Sequence, residues 1–116
     1  MRIVVPSNEN KENGAIFPFF GQPENYFIYD VNKGELTLRE IRKNPISERL
    51  KGLGHGEKAP IIQKMIVDCL SDCDVFVAIG INSGIVEKLV SGGKEVVFAE
   101  NQNIREIAEE IASRDL

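Results

Sequence analysis

The stretch Val75-Phe76-Val77-Ala78-Ile79-Gly80-Ile81-Asn82-Ser83-Gly84-Ile85-Val86-Glu87-Lys88-Leu89-Val90 decides the fold. Its first five residues form a continuous apolar run of strand length, the pattern of a strand covered on both faces rather than one alternating between core and water. Gly80 stops the run, and Asn82 or Ser83 can cap a helix. Ile85, Val86, Leu89 and Val90 then recur at helical spacing until Gly92-Gly93 ends the pattern. A buried strand, a small-residue turn and a helix with one apolar stripe make up the unit from which parallel sheets are built, each helix crossing over to a neighbouring strand.

Downstream, Glu95 to Ala99 reads as a second buried strand, and Asn103 with Glu106 three residues on resembles a capping box ahead of the apolar stripe Ile104, Ile107, Ala108 and Ile111. Upstream, Ala59, Ile62, Ile66, Cys69 and Leu70 place an amphipathic helix over Glu57 to Ser71, with Pro60 tolerated in its first turn. The N-terminal half is richer in strand and turn signals. Arg2 to Val5 forms a strand that Pro6 should close, because proline has no ladder donor. A polar loop from Ser7 to Asn13 precedes Ala15-Ile16-Phe17-Pro18-Phe19-Phe20-Gly21, a loop with a hydrophobic cargo.

Tyr26 to Val31 and Glu35 to Arg42 flank Asn32-Lys33-Gly34 and form a hairpin, with Gly34 supplying a positive φ. In its second strand Leu36 and Leu38 share a face while Ile41 falls on the other, so the strand either bulges or leaves the sheet. Gly52, Gly54 and Gly56 around Leu53 and His55 make a connector to the first helix. The order β-β-β-α-β-α-β-α, in one domain over residues 1–116, predicts an α/β fold: three layers, α/β/α, around a mixed five-stranded sheet. This order resembles the ribonuclease H-like topology.

Composition narrows the function. In 116 residues the 14 Lys and Arg against 18 Asp and Glu leave a net charge of −4, with 42% hydrophobic and 28% charged residues. That is the balance of a soluble globule, long enough to bury a core without disulfides or metals. A nucleic-acid partner is disfavoured because no basic stripe is present to replace counterions on phosphates. With two Cys and one His, the chain cannot build a closed zinc or iron–sulfur site from those residues alone. The run Ile3-Val4-Val5-Pro6 is too short for a signal peptide and no window is long enough to span a membrane, so a cytoplasmic, membrane-free protein with reduced thiols is expected.

The ligand crevice of an open α/β sheet lies beyond the C-terminal ends of its parallel strands, which here is Gly80-Ile81-Asn82-Ser83-Gly84. A small-residue loop opening a helix favours anions through its N–H groups and the dipole, though the same residues equally make a tight, capped turn. His55, between Gly54 and Gly56 and just ahead of a helix, would keep a neutral imidazole available as a metal ligand, or be a surface histidine without a role. Cys69 lies on an apolar stripe and reads as core. Cys73 sits between Asp72 and Asp74, whose carboxylates raise its pKa and argue against a catalytic thiol, while leaving it a candidate metal ligand. The Phe17 to Phe20 cluster suits core or a partner surface, with a homodimer contact a natural use. A metal-dependent nuclease is disfavoured because the first strand offers no carboxylate, leaving Asp30 as the residue to test.

Taken in order, Met1-Arg2-Ile3-Val4-Val5-Pro6, Pro18-Phe19-Phe20-Gly21, Tyr26-Phe27-Ile28-Tyr29-Asp30, Asn44-Pro45, His55-Gly56 and Asp72-Cys73-Asp74-Val75 running into Gly80 resemble the dinitrogenase iron–molybdenum cofactor-binding family, over nearly the whole chain. The resemblance implies a ribonuclease H-like fold and no catalysis of its own. It also implies carriage of an anionic iron–sulfur or iron–molybdenum-type cluster, with a cofactor-assembly protein as partner. It carries over Gly21, His55, Gly56, Cys73 and Gly80, to which Asn82, Ser83 and Gly84 add the anion-facing loop; His55 and Cys73 are the candidate metal ligands. Phe19 stands where family members commonly have a histidine, and Ile79-Gly80-Ile81-Asn82 replaces a Gly-Gly-Ile-Gly loop. The alternative expectation is a regulatory or interaction domain that has lost the cluster and binds a small phosphorylated ligand at Gly80 to Gly84.

Overall fold

A computed structural model describes residues 1–46 and 59–115. The N-terminal half supplies β1 (Arg2–Ser7), β2 (Asn25–Asn32) and β3 (Glu35–Lys43). Then come α1 (Ala59–Cys69), β4 (Val75–Ala78), α2 (Ser83–Ser91), β5 (Glu95–Phe98) and α3 (Ile104–Ala112), with a 3₁₀ turn at Ser113–Asp115. The five strands form one mixed sheet in the order β3-β2-β1-β4-β5. β1–β2 and β2–β3 pair antiparallel, while β1–β4 and β4–β5 pair parallel. This is the three-layer α/β/α architecture expected from the order of elements.

The strand period of two sorts the core into two clusters, one on each face. Ile3, Val5, Phe27, Tyr29, Val75 and Val77 face Ile104, Ile107, Ala108 and Ile111 of α3. Val4, Tyr26, Ile28, Phe76 and Ala78 face Ile66 and Leu70 on one side and Ile85 and Leu89 of α2 on the other. Every residue of β4 is buried, as its unbroken apolar run requires.

Local chemistry explains the ends of the elements. At the hairpin Asn32 pairs with Glu35, so the turn has only two central residues. Both Lys33 (φ 54°) and Gly34 (φ 79°) are left-handed, as a twist-matched hairpin requires. The register shift after Ile28 is a bulge that sets Ile41 opposite Phe27, on the face of Leu36 and Leu38, and turns Arg42 to the other face. α2 closes with Gly93 at φ +80° and Lys94 N–H bonded to the Leu89 carbonyl at 2.9 Å. α3 opens with the expected capping box, Asn103 Oδ1 accepting from Glu106 N–H at 2.8 Å and Glu106 returning the bond at 3.0 Å.

Several expectations change. Ile79, read as the end of the buried run, lies beyond β4 and is exposed, and Val90 of the α2 stripe is exposed too, leaving Ile85 and Leu89 as the buried residues of that helix. β1 runs through Pro6 to Ser7, because the position uses its carbonyl, which accepts from Phe17 N–H at 2.9 Å, while Pro6 stays in register with Tyr26. β5 is not a strand buried on both faces but an edge strand: Val96 and Val97 are half-buried, and Phe98 is 62% exposed.

Candidate functional site

Two loops meet at the C-terminal ends of β1 and β4, where the chain leaves one strand toward one sheet edge and the other toward the opposite edge. Gly80 N–H donates to the Pro18 carbonyl at 2.8 Å, and Phe20 N–H donates to the Gly80 carbonyl at 2.9 Å, so the aromatic loop adds a short parallel bridge to the end of β4. Gly80 is required for that approach, since a Cβ there would lie 2.9 Å from the Pro18 oxygen.

Burial divides the aromatic cluster. Phe20 is in the core, its ring 5.4 Å from Tyr26 and 5.8 Å from Phe76 by centroids. The buried Tyr26 hydroxyl donates to the Phe20 carbonyl at 2.7 Å. Phe19 turns the other way, 57% exposed, with Phe17 edge-on at 6.3 Å. The sequence pattern foresaw apolar cargo in this loop but not which ring would be outside, because that depends on the Gly80 bridge.

On the far side of Gly80, Asn82 is the N-cap of α2. Its Oδ1 accepts from Gly84 N–H at 2.7 Å and from the Gln63 amide of α1 at 3.1 Å. The Gln63 amide lies so close over Gly84 that a Cβ there would be 2.6 Å from its Oε1. Asn82 and Ser83 are exposed beside this junction. This end of the sheet therefore places the positive end of a helix, its Gly84 N–H capped by Asn82, beside an aromatic rim, a setting that favours an anionic guest through the dipole.

The structure brings Gly21, Gly80, Asn82, Ser83 and Gly84 to one end of the sheet. His55 and Gly56 lie outside the described residues. Cys73 does not join that end: it precedes β4 whereas Gly80 follows it, and at about 3.3 Å per residue the two are roughly 20 Å apart along the strand. Its side chain is fully buried in the Val4–Phe76 cluster, and burial, reinforced by the Asp72 carboxylate, pushes the thiol up to about 12. Cys73, expected to act as a metal ligand together with the Gly80 loop, is thus placed in the core at the opposite end of β4 from that loop. Cys69 is half-buried and its thiol is also pushed up, chiefly by burial.

At the N-terminal end of the strands lies a network that the sequence pattern did not disclose. Arg42 grips Asp72 with two bonds of 2.8 and 3.0 Å and donates a third, of 2.8 Å, to the Cys69 carbonyl. Arg2 donates to Asp72 and to Asp30, each at 2.8 Å, and Arg39 reaches Asp30 at 3.2 Å. The Arg42 guanidinium holds the Asp72 carboxyl below the usual carboxylate range, and Arg2 does the same for Asp30. Arg2, Asp30 and Asp72 line an open polar hollow of about 530 Å³ with Met1 and Asp74. Asp30, the residue a nuclease reading needs, is therefore held between two arginines at the end away from the crevice. Flanking carboxylates were visible around Cys73, but no spacing in the sequence pairs them with Arg2 and Arg42.

Among the described residues no three His, Cys, Asp or Glu side chains converge to hold a metal ion, and no helix is long and apolar enough to cross a membrane. A family model described as "dinitrogenase iron-molybdenum cofactor" matches residues 1–114. No curated protein matches the sequence. Several solved structures share the fold at low identity, among them the following three. The apo form of the orange protein from Desulfovibrio gigas superposes with a TM-score of 0.71 at 18% identity, covering 98% of this chain and 88% of that one. A Thermotoga protein provisionally named NifB gives 0.66 at 21%, covering 96% and 86%. A Methanocaldococcus jannaschii protein provisionally called a dinitrogenase gives 0.67 at 15%, covering 100% and 91%.

Proposed function

The chain belongs to the dinitrogenase iron–molybdenum cofactor family, and from that premise we propose that it is a non-enzymatic accessory or carrier protein whose cargo is an anionic iron–sulfur or iron–molybdenum-type cluster. The observation that carries the reading is the pair of bonds joining Gly80 to Pro18 and Phe20, which fixes an aromatic rim beside the N-terminus of α2. An anionic cluster would rest between that rim and Asn82-Ser83-Gly84, facing the helix dipole. The apo designation of the orange protein, a structural neighbour, implies a ligand-bearing form of that protein and supports the same class of role.

Few donors are on offer at the crevice, so the cluster would keep its own sulfides and exogenous ligands, with His55 as the candidate protein ligand. Cys73 is left out of this reading because its side chain is fully buried at the other end of β4 from the Gly80 loop. Phe19, in place of the histidine common in the family, contributes an apolar wall instead of a ligand. Weak holding of this kind suits transfer to a cofactor-assembly protein in the cytoplasm.

Anaerobic reconstitution with iron, sulfide and molybdate tests the proposal. The wild type and Cys73→Ala should retain equal iron per chain with visible charge-transfer absorption, and His55→Ala should retain less. Absence of iron retention by the wild type would overturn the proposal; equal retention by His55→Ala would remove that residue from it. Thermal stabilisation by inorganic phosphate or nucleotides, with no iron retained, would favour the second reading, a small-anion-binding domain built on the same helix end.

A further inference from the structure

A second buried side chain reaches the aromatic loop from beyond β3. Asn44 is 2% exposed. Its Nδ2 donates to the Pro23 carbonyl at 2.8 Å and to the Gly21 carbonyl at 3.3 Å, while its Oδ1 accepts from Ile46 N–H at 3.0 Å. Its backbone N–H donates to the Glu24 carbonyl at 2.9 Å. Two carbonyls on one side need N–H donors and an N–H on the other needs an acceptor. A side chain of this size supplies both only as a primary amide: aspartate is an acceptor alone and leucine is neither.

The loop is held at other points too. Gly21 leaves little room for a side chain beside α1 and α2, since a Cβ there would lie 3.3 Å from Ile66 Cδ1 and 3.7 Å from Ile85 Cδ1. The Gly80 bonds register it along β4, and Tyr26 holds the Phe20 carbonyl. Asn44 attaches the loop on the Gly21–Pro23 side, next to Glu24, whose N–H donates to Asn8 Oδ1 at 2.8 Å. We propose that Asn44 is a positioning residue for the crevice: it sets where the Pro18–Gly21 loop meets Gly80, and so the shape of the rim, without itself touching the cargo. The consequence for cargo binding rests on the function proposed above; the positioning role does not.

Hydrogen exchange at the amides of Phe20 and Gly80 tests this directly, because those two N–H groups make the bridging bonds. The comparison takes wild type, Asn44→Ala, Asn44→Asp, which keeps the acceptor for Ile46, and Ile111→Val, a destabilised control on the other face of the sheet. Both Asn44 variants should speed exchange at Phe20 and Gly80 by at least about tenfold, while Val4 in β1 changes no more than in Ile111→Val. If Asn44→Ala does not fold, Asn44→Asp carries the same comparison. Exchange at Phe20 and Gly80 that merely follows Ile111→Val would overturn the positioning role. In parallel reconstitutions, retained iron should fall by more than half in the Asn44 variants and not in Ile111→Val. A wild type that retains no iron would defeat the cargo reading alone, and the exchange result would still decide the role of Asn44.

Discussion

Phe20 donates its backbone N–H to the Gly80 carbonyl at 2.9 Å, and this bond, returned from Gly80 to Pro18 at 2.8 Å, ties the loop after β1 to the turn after β4. Two segments distant in the chain thus share a two-bond bridge at the place where β1 and β4 diverge.

Gly80→Ala should break that bridge. The new methyl would lie 2.9 Å from the Pro18 oxygen, a backbone atom already held by a hydrogen bond, so strain of about 1–3 kcal/mol is expected. A lower urea midpoint with an unchanged slope would report it. Gly84→Ala is the contrast. It meets only the mobile end of Gln63, and the helix propensity gained, about 1 kcal/mol, offsets the displaced amide, leaving stability nearly unchanged.

Tyr26→Phe should cost about 1–3 kcal/mol, because it removes the hydroxyl that serves the buried Phe20 carbonyl at 2.7 Å and leaves that acceptor out of reach of water. Urea titration of the variant gives the size of the effect.

The acid limb of stability should depend on Asp72. Its carboxyl is held below the ordinary range, first by the hydrogen bonds from Arg42 and then by the added pull of Arg2. A depressed folded-state pKa contributes stability that is fully present above the unfolded value, about pH 4, and is lost as pH falls through the lower folded value. The side chain is 39% exposed, so solvent screening leaves on the order of 1 kcal/mol at neutral pH. Asp72→Asn should therefore be less stable than wild type at pH 7, and the gap in Tm should narrow steadily below about pH 4. A gap that is constant with pH would contradict this.

Cys73 should resist alkylation in the native state. Its thiol is fully buried and pushed up to about 12, whereas Cys69 is half-buried on α1. Mass spectrometry after iodoacetamide at pH 8 should find native label at Cys69 ahead of Cys73, with Cys73 modified only as denaturant unfolds the chain.

How much of this was legible in the sequence follows from how local each signal is. The uninterrupted Val75–Ile79 run, the Asn103–Glu106 box and the apolar spacing of α2 and α3 depend on neighbours within a turn or two, and they fixed the layers correctly. Ile41 betrayed the bulge of β3 because its parity conflicted with Leu36 and Leu38. Pro6 misled because a rule about missing donors says nothing of a position that uses only its carbonyl. The edge placement of Phe98 depends on strand order, which an apolar run does not encode. Cys73 and Gly80 looked like parts of one site when read along the chain, but β4 between them carries one to each end of the sheet. The Arg42–Asp72 grip and the Asn44 bracket join residues far apart in sequence, with no spacing rule to announce them.

The central claim, that the cluster rests where the Pro18–Gly21 loop meets the start of α2, is tested most directly by amide NMR of the isotope-labelled chain titrated anaerobically with a preassembled iron–sulfur cluster. Broadening or shifts centred on Phe19, Phe20, Gly80, Asn82, Ser83 and Gly84, together with His55 as the candidate ligand, with Arg2, Asp72 and Cys73 unaffected, is the predicted result. Perturbation centred on the Arg2–Asp72 end of the sheet, or no perturbation at all, would contradict it.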